Sequence, residues 1–256
     1  MKRAILVFSA VALSLCAMSQ TATNSPYSQY GYGQLADQSN GAVRGMNGMG
    51  IAWREGSQVN FTNPASYSCL DSLTFLFDVG ASIQMTNFTE GSRRLNAKNA
   101  SFDYVIAAFR AVKHLGLSFG LMPYSNVGYK YYNEQTVGGS GVQIADATTT
   151  TNTYYGTGGF RQVFLGIGYE PLKIKGTSLS FGGNVSYIWG DYTKSIINSY
   201  SDEYVNTLSK FYSCSVSDFK YDLGAQFRQS IGKNDDITLG GTYSFGYNLN
   251  SSPECL

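Results

Sequence analysis

Along residues 73–85 the side chains alternate without a break. Leu73, Phe75, Phe77, Val79, Ala81, Ile83 and Met85 fall on one face, and Thr74, Leu76, Asp78, Gly80, Ser82 and Gln84 on the other. A period of two is the repeat of an extended strand, since successive side chains point to opposite sides of the backbone. Strands of soluble sheets run to about 5–6 residues, whereas a tilted strand needs about 9–11 to cross a bilayer. Six further stretches carry the same signature: 101–111, 115–129, 160–169, 178–189, 218–228 and 237–249. In most, Leu, Ile, Val, Phe or Tyr alternates with Gly, Ser, Thr, Asn or Gln; at 101–111 both faces carry apolar residues, and at 218–228 the polar face also holds Asp218, Lys220, Asp222 and Arg228.

The connections between these strands also alternate. Polar segments at 89–99, 133–157 and 195–210 take turns with short links at 112–114, 173–176 and 232–235. Outer-membrane barrels join their strands in this way, with short turns on the periplasmic side and longer loops outside. A soluble sandwich would also alternate. Strand length counts against it, as do the aromatics Tyr187, Trp189, Tyr243 and Tyr247 near strand ends, because amphipathic rings favour a membrane interface. Only 14% of residues are charged, against about 25% in ordinary globular proteins. The expected fold is therefore all-β, an antiparallel transmembrane β-barrel over residues 69–256. Seven strands are an odd count, bacterial barrels have even counts, and residues 251–256 do not read as a strand. The expectation is that these strands are about half of a larger barrel of about fourteen.

The N-terminal part has another character. Lys2 and Arg3 precede a short apolar run at 4–18, and Ala17-Met18-Ser19 offers small residues for cleavage. Residues 1–19 thus read as a secretory signal peptide, which implies export to the outer membrane of a diderm bacterium. Residues 20–68 read as a coil followed by a plug. The plug candidates are Gly45, Gly48 and Gly50, which deny the segment a regular helix or strand, and the Asn63-Pro64-Ala65 corner, which turns the chain toward the first strand. An eight-stranded barrel has no room for such a plug.

Enzyme chemistry finds no residues here. The chain holds one histidine, His114, placed in a turn where it reads as solvated, and it has no nucleophile motif or metal-ligand spacing. Cys69, Cys214 and Cys255 remain after cleavage and make no disulfide framework. No metal, cofactor or catalytic residue is expected. A net charge of +1 gives no field for nucleic acid. The expected partners are outer-membrane lipid and a hydrophobic ligand or, on the second reading below, secretion-system proteins.

Pro123 interrupts the clean run at 115–122. Proline cannot donate to a ladder, so a bulge or kink is expected at Pro123 and Tyr124. The corner at Asn63-Pro64-Ala65 and the segment Pro123-Tyr124-Ser125-Asn126-Val127-Gly128-Tyr129 resemble those of the FadL-type outer-membrane transporters of fatty acids and other hydrophobic compounds. Ser66 stands where that family more often has glycine. The resemblance implies uptake of a hydrophobic molecule, movement of the plug, and lateral release at Pro123 and Tyr124. The second expectation is a barrel component of a protein secretion or surface-assembly system, with the long polar segments making the contacts. Fold alone does not choose between them.

Overall fold

The computed structural model describes residues 23–137, 148–174, 176–201, 206–232, 235–246 and 248–255. The leader at 1–19 lies outside them, as does Tyr247. Seven antiparallel strands follow in chain order, each paired with the next. They are β2 (Phe75–Glu90), β3 (Arg93–Val112), β4 (Leu115–Val137), β5 (Thr148–Ile174), β6 (Thr177–Tyr200), β7 (Leu208–Ser230) and β8 (Asp236–Ser244). Two short strands join the sheet, β1 (Gln34–Leu35) on β4 and β9 (Ser251–Cys255) on β7. Among the described residues β2 and β8 do not pair with each other, so the sheet is an open half-barrel. Among the described residues the expected barrel is not closed, and residues 41–68, expected to form a plug, lie against the inner face of this sheet.

The strands are much longer than the alternating apolar runs. β4, β6 and β7 have 23, 24 and 23 residues and β5 has 27. Most of what the sequence suggested as loops at 89–99, 133–157 and 195–210 is strand: β3 begins at Arg93, β4 runs to Val137, β5 begins at Thr148 and β6 ends at Tyr200. The ladder simply continues past the apolar runs. Thr149, Thr150, Thr151 and Thr153 pair through β4 and β6, and β-branched threonine suits a half-exposed strand. Polarity marked a change of surroundings, not the end of pairing. Residues 251–255 are likewise a strand, held to 212–216 of β7, while the seventh long strand stops at Ser244 rather than 249.

The outward faces of the strands carry the large apolar side chains. Leu165, Ile167, Phe181, Val185, Tyr221, Leu223 and Leu239 are all exposed, Leu165 by 62%. Such a continuous apolar face is unusual on a protein that meets only water. The inward faces hold Ser118, Gln162, Ser180, Asn184 and Gln226, all buried. What buries them is residues 23–70 of the same chain.

The inner face has two apolar clusters. One joins Val59, Phe61, Tyr67 and Leu70 of the N-terminal part to Tyr104, Ile106, Met122 and Phe164 of the sheet. The other gathers Phe160, Ile188, Cys214 and Val216, with Tyr124, Tyr192 and Leu249 packed against them.

One junction in the sheet is incomplete. β3 and β4 pair only from Val105↔Leu121 to Val112↔Leu115. Beyond that, β3 stays with β2 and β4 stays with β5, leaving a seam between them. β2 and β3 also shift register between Gly80 and Ala81, where Tyr104 pairs with Gly80 and Phe102 with Ala81. β4 and β5 shift between Pro123, opposite Arg161, and Ser125, opposite Phe160.

Candidate functional site

The segment from Asn40 to Leu70 crosses the inner face of the sheet, and a row of glycines lets it do so. Gly116 pairs with Gly168, Gly168 with Gly182, and Gly182 with Gly224. Four glycines therefore stand side by side across β4 to β7. The 3-10 helix Pro64–Cys69 lies on them. A Cβ at Gly116 would overlap the Tyr67 carbonyl, one at Gly182 the Pro64 carbonyl, and one at Gly224 the Asn63 side chain. At Gly168 it would stand 2.6 Å from the Pro64 carbonyl oxygen. Backbone packs on backbone here because no side chain intervenes.

Asn63 is the hub of this contact. It is fully buried. Its Oδ1 accepts the Ala65 N–H at 3.1 Å, and its Nδ2 donates to the carbonyls of Ile51 at 2.7 Å and Ala225 at 3.2 Å. One side chain thus caps the 3-10 helix, holds the preceding turn and ties both to β7. Asn60 repeats the device, donating to the carbonyls of Gly50 and Trp53 at 2.6 and 3.0 Å. Asn40 caps the short helix α1 (Gly41–Gly45) and donates to the Val59 carbonyl at 2.6 Å. A buried carbonyl without a partner costs about 1–3 kcal/mol, so these three amides fix an irregular path.

Ion pairs add further ties. Arg54 meets Glu170 of β5 at 2.6 Å with both side chains almost fully buried, and it also donates to Ser180 of β6. His114 Nδ1 lies 2.9 Å from the other oxygen of Glu170. The solvated histidine expected from the sequence is instead half-buried, set at φ +69° in the turn between β3 and β4. Arg44 pairs with Asp37 at 3.1 Å and with Asp103 of β3. Burial pushes the Cys69 thiol up to about 11, so it is protonated at neutral pH.

The other candidates separate. A Cβ at Gly50 would stand 2.8 Å from the Val43 side chain, within the segment itself. A Cβ added at Gly45 or Gly48 would meet open space; Gly48, at φ +81° in the turn after α1, donates its N–H to the Val43 carbonyl at 2.9 Å. Pro123 and Tyr124 lie apart from the glycine row. Their carbonyls accept from Gln38 Nε2 at 3.1 Å and from the Ala36 N–H at 3.0 Å. Residues 28–38 thus run beside the seam. Ser28 Oγ accepts the Gly128 N–H at 3.1 Å and faces its carbonyl at 3.3 Å, in place of a missing strand. Lys194 of β6 donates to the carbonyls of Gln29 and Gly31 at 2.7 and 3.0 Å. Among the described residues no cluster of His, Cys, Asp and Glu could hold a metal ion.

Sequence reasoning missed Tyr67, Arg54, Glu170, Gln38 and Lys194. The inward glycines were legible as a small-residue face, but their alignment depends on strand register, which no single strand reveals.

A protein-family model, BamG, matches residues 1–255. No curated protein and no solved structure matches the chain. The resemblance to FadL-type transporters rested on two short segments, and the family match over nearly every residue overturns it, together with the expected uptake of fatty acids. The inner segment of polar ties on a glycine row and the long open sheet that carries it are those of a chain that belongs to the BamG family, a family associated with the Bam complex of outer-membrane assembly.

Proposed function

We propose that this protein is a wall-forming component of the outer-membrane assembly machinery, exported by its leader at 1–19 and seated in the bilayer by its strands. Membership of the BamG family carries the reading, and the geometry is consistent with it. No described helix is long and apolar enough to cross a membrane, so the outward apolar band of β2 to β8 is what would face lipid. A strand of 24 residues extends about 80 Å, whereas the hydrocarbon core is about 30 Å thick. β4 to β7 would therefore rise well beyond the bilayer. By the usual placement of short turns they would rise on the outer side. A tall polar wall of this kind suits contact with other proteins.

Residues 41–70 act in this reading as an interior brace. Asn63, Arg54 and Tyr67 tie them to four strands, as a static support requires. No catalytic step and no cofactor is assigned.

The test is co-purification from native outer membranes. A tagged full-length chain should bring down the subunits of the assembly complex in fixed ratio, and its depletion should lower the amounts of other barrel proteins in the membrane. A chain that migrates alone, with barrel proteins unchanged on depletion, would overturn the proposal.

A further inference from the structure

Within the rising part of the sheet, one strand edge is open in the middle of the molecule. β4 pairs with β5 out to Val137. On its other side it meets β3 only as far as Leu121 and β1 only at Ser125 and Asn126. Among the described residues no strand pairs with β4 on that side beyond Asn126. Alternation tells which backbone groups point there. In an antiparallel strand one residue aims both its N–H and its C=O to one neighbour and the next aims both to the other. Gly128 aims its pair at Ser28. Lys130, Tyr132 and Glu134 therefore aim theirs into the seam, while Tyr129, Tyr131 and Asn133 bond to β5.

From these groups we infer that the seam between β3 and β4 is a strand-acceptor site, at which an extended segment of a partner subunit adds to β4 along residues 130–135. β1 already occupies the adjoining positions of the same edge, antiparallel to β4, so the edge is shaped for a strand. A long exposed edge is otherwise a hazard that proteins cover or break, and strand addition is a common way to bind an extended peptide. On the inner face the arriving side chains meet Tyr129 and Tyr131, whose rings are 5.8 Å apart, and Tyr154, stacked on Tyr131 at 5.0 Å. On the outer face they meet Lys130, Tyr132 and Glu134, all exposed. The segment recognised is one that alternates aromatic or aliphatic residues with polar ones. The identity of the partner rests on the assembly role proposed above. The open edge does not.

Amide exchange, read residue by residue on the full-length chain alone and within its purified complex, tests this. Strand addition should slow exchange at Lys130, Tyr132 and Glu134 by about tenfold or more, with little change at Tyr129, Tyr131 and Asn133, which β5 already protects. Glu134→Pro removes one seam-facing donor and leaves the β5 ladder whole, so it should abolish the slowing at Lys130 and Tyr132 while Glu134→Ala preserves it. Tyr132→Pro serves as a second variant if Glu134→Pro does not fold. Uniform slowing of odd and even residues, no slowing in a complex that does assemble, or the same slowing in a dimer of this chain without partners would overturn the proposal. A chain that enters no complex fails the assembly role instead.

Discussion

The same strands live in two settings. Toward the short turns, the outer face of β4 to β7 is Leu, Ile, Val and Phe, and the inner face is glycine and small polar residues pressed against Pro64–Cys69. Toward the long connections, the outer face turns to Lys130, Tyr132 and Tyr155. The inner face there meets residues 23–40 through hydrogen bonds at their edges. In the first region the brace is buried among five strands and held by close packing. In the second the covering segment is held by a few polar contacts along a seam. Packing of that density is costly to disturb, whereas a single hydrogen bond contributes about 0.5–1.5 kcal/mol net. The lower half is thus a fixed body, and the upper half is where a partner could displace or extend what is already there.

The largest effect should follow from removing the ring that joins brace to sheet. Tyr67 is fully buried and donates to Asn184 Oδ1 at 3.2 Å. Tyr67→Ala should cost about 3–5 kcal/mol, as for other large buried rings. Tyr131→Ala, in the upper half, should cost about 1 kcal/mol or less, because its partner Gln29 lies on the covering segment and water can replace it. Denaturant unfolding in detergent compares them. Equal losses would erase the distinction between the halves.

A charge on the outer face separates the two regions next. Leu165→Arg places a guanidinium in the apolar band, where a lipid-facing site costs about 2–4 kcal/mol. Tyr155→Arg makes the same change beyond the band and should be nearly neutral. Folding yield into bilayers reads both. If Leu165→Arg is tolerated as well as Tyr155→Arg, the band does not face lipid.

These expectations show which parts of the molecule were readable from its residues. The outward runs at 163–169, 179–189 and 219–227 gave their faces away because a period of two survives in one dimension. Strand ends did not. Thr148–Thr153 and 195–200 lack apolar alternation, and only pairing with neighbours makes them strands. Asn63-Pro64-Ala65 stood out as a corner, and its glycines as irregular chain. The row formed by Gly116, Gly168, Gly182 and Gly224 was hidden because each lies on a different strand. Arg54 and Glu170 are separated by more than a hundred positions, and nothing local pairs them. The family resemblance misled because the two segments that carried it answer to shared physics: an Asx-capped turn and a proline at a register shift arise wherever a chain enters a sheet or bends one.

Weaker ties hold the covering segment. Lys194→Ala removes the donor that meets the carbonyls of Gln29 and Gly31, at about 1–2 kcal/mol of local stability. Exchange over residues 27–33 should quicken by about tenfold while that of the glycine row stays unchanged. Global loss of protection would mean that the two halves unfold as one.

The smallest effect is expected at Pro123, where sequence pointed most strongly to a kink. The ladder to β5 shifts there, with Arg161 opposite Pro123 and Phe160 opposite Ser125. Two causes compete. Proline removes a donor, which alone can end a ladder. But the carbonyls of Pro123 and Tyr124 are also taken by Gln38 and Ala36, which draw the strand toward the covering segment. If those bonds set the shift, Pro123→Val should keep it and change stability by about 0.5 kcal/mol or less, since valine suits a strand and its new N–H can face water at the seam. Gln38→Ala should do more, because it frees the Pro123 carbonyl and the buried Gln162 amide, which donates to Gln38 Oε1. Cross-strand contacts of Arg161 and Phe160 measured by magnetic resonance report the register directly. A ladder that runs regularly through position 123 in the Pro123→Val variant would make the proline itself the cause, and the seam a consequence of that one residue.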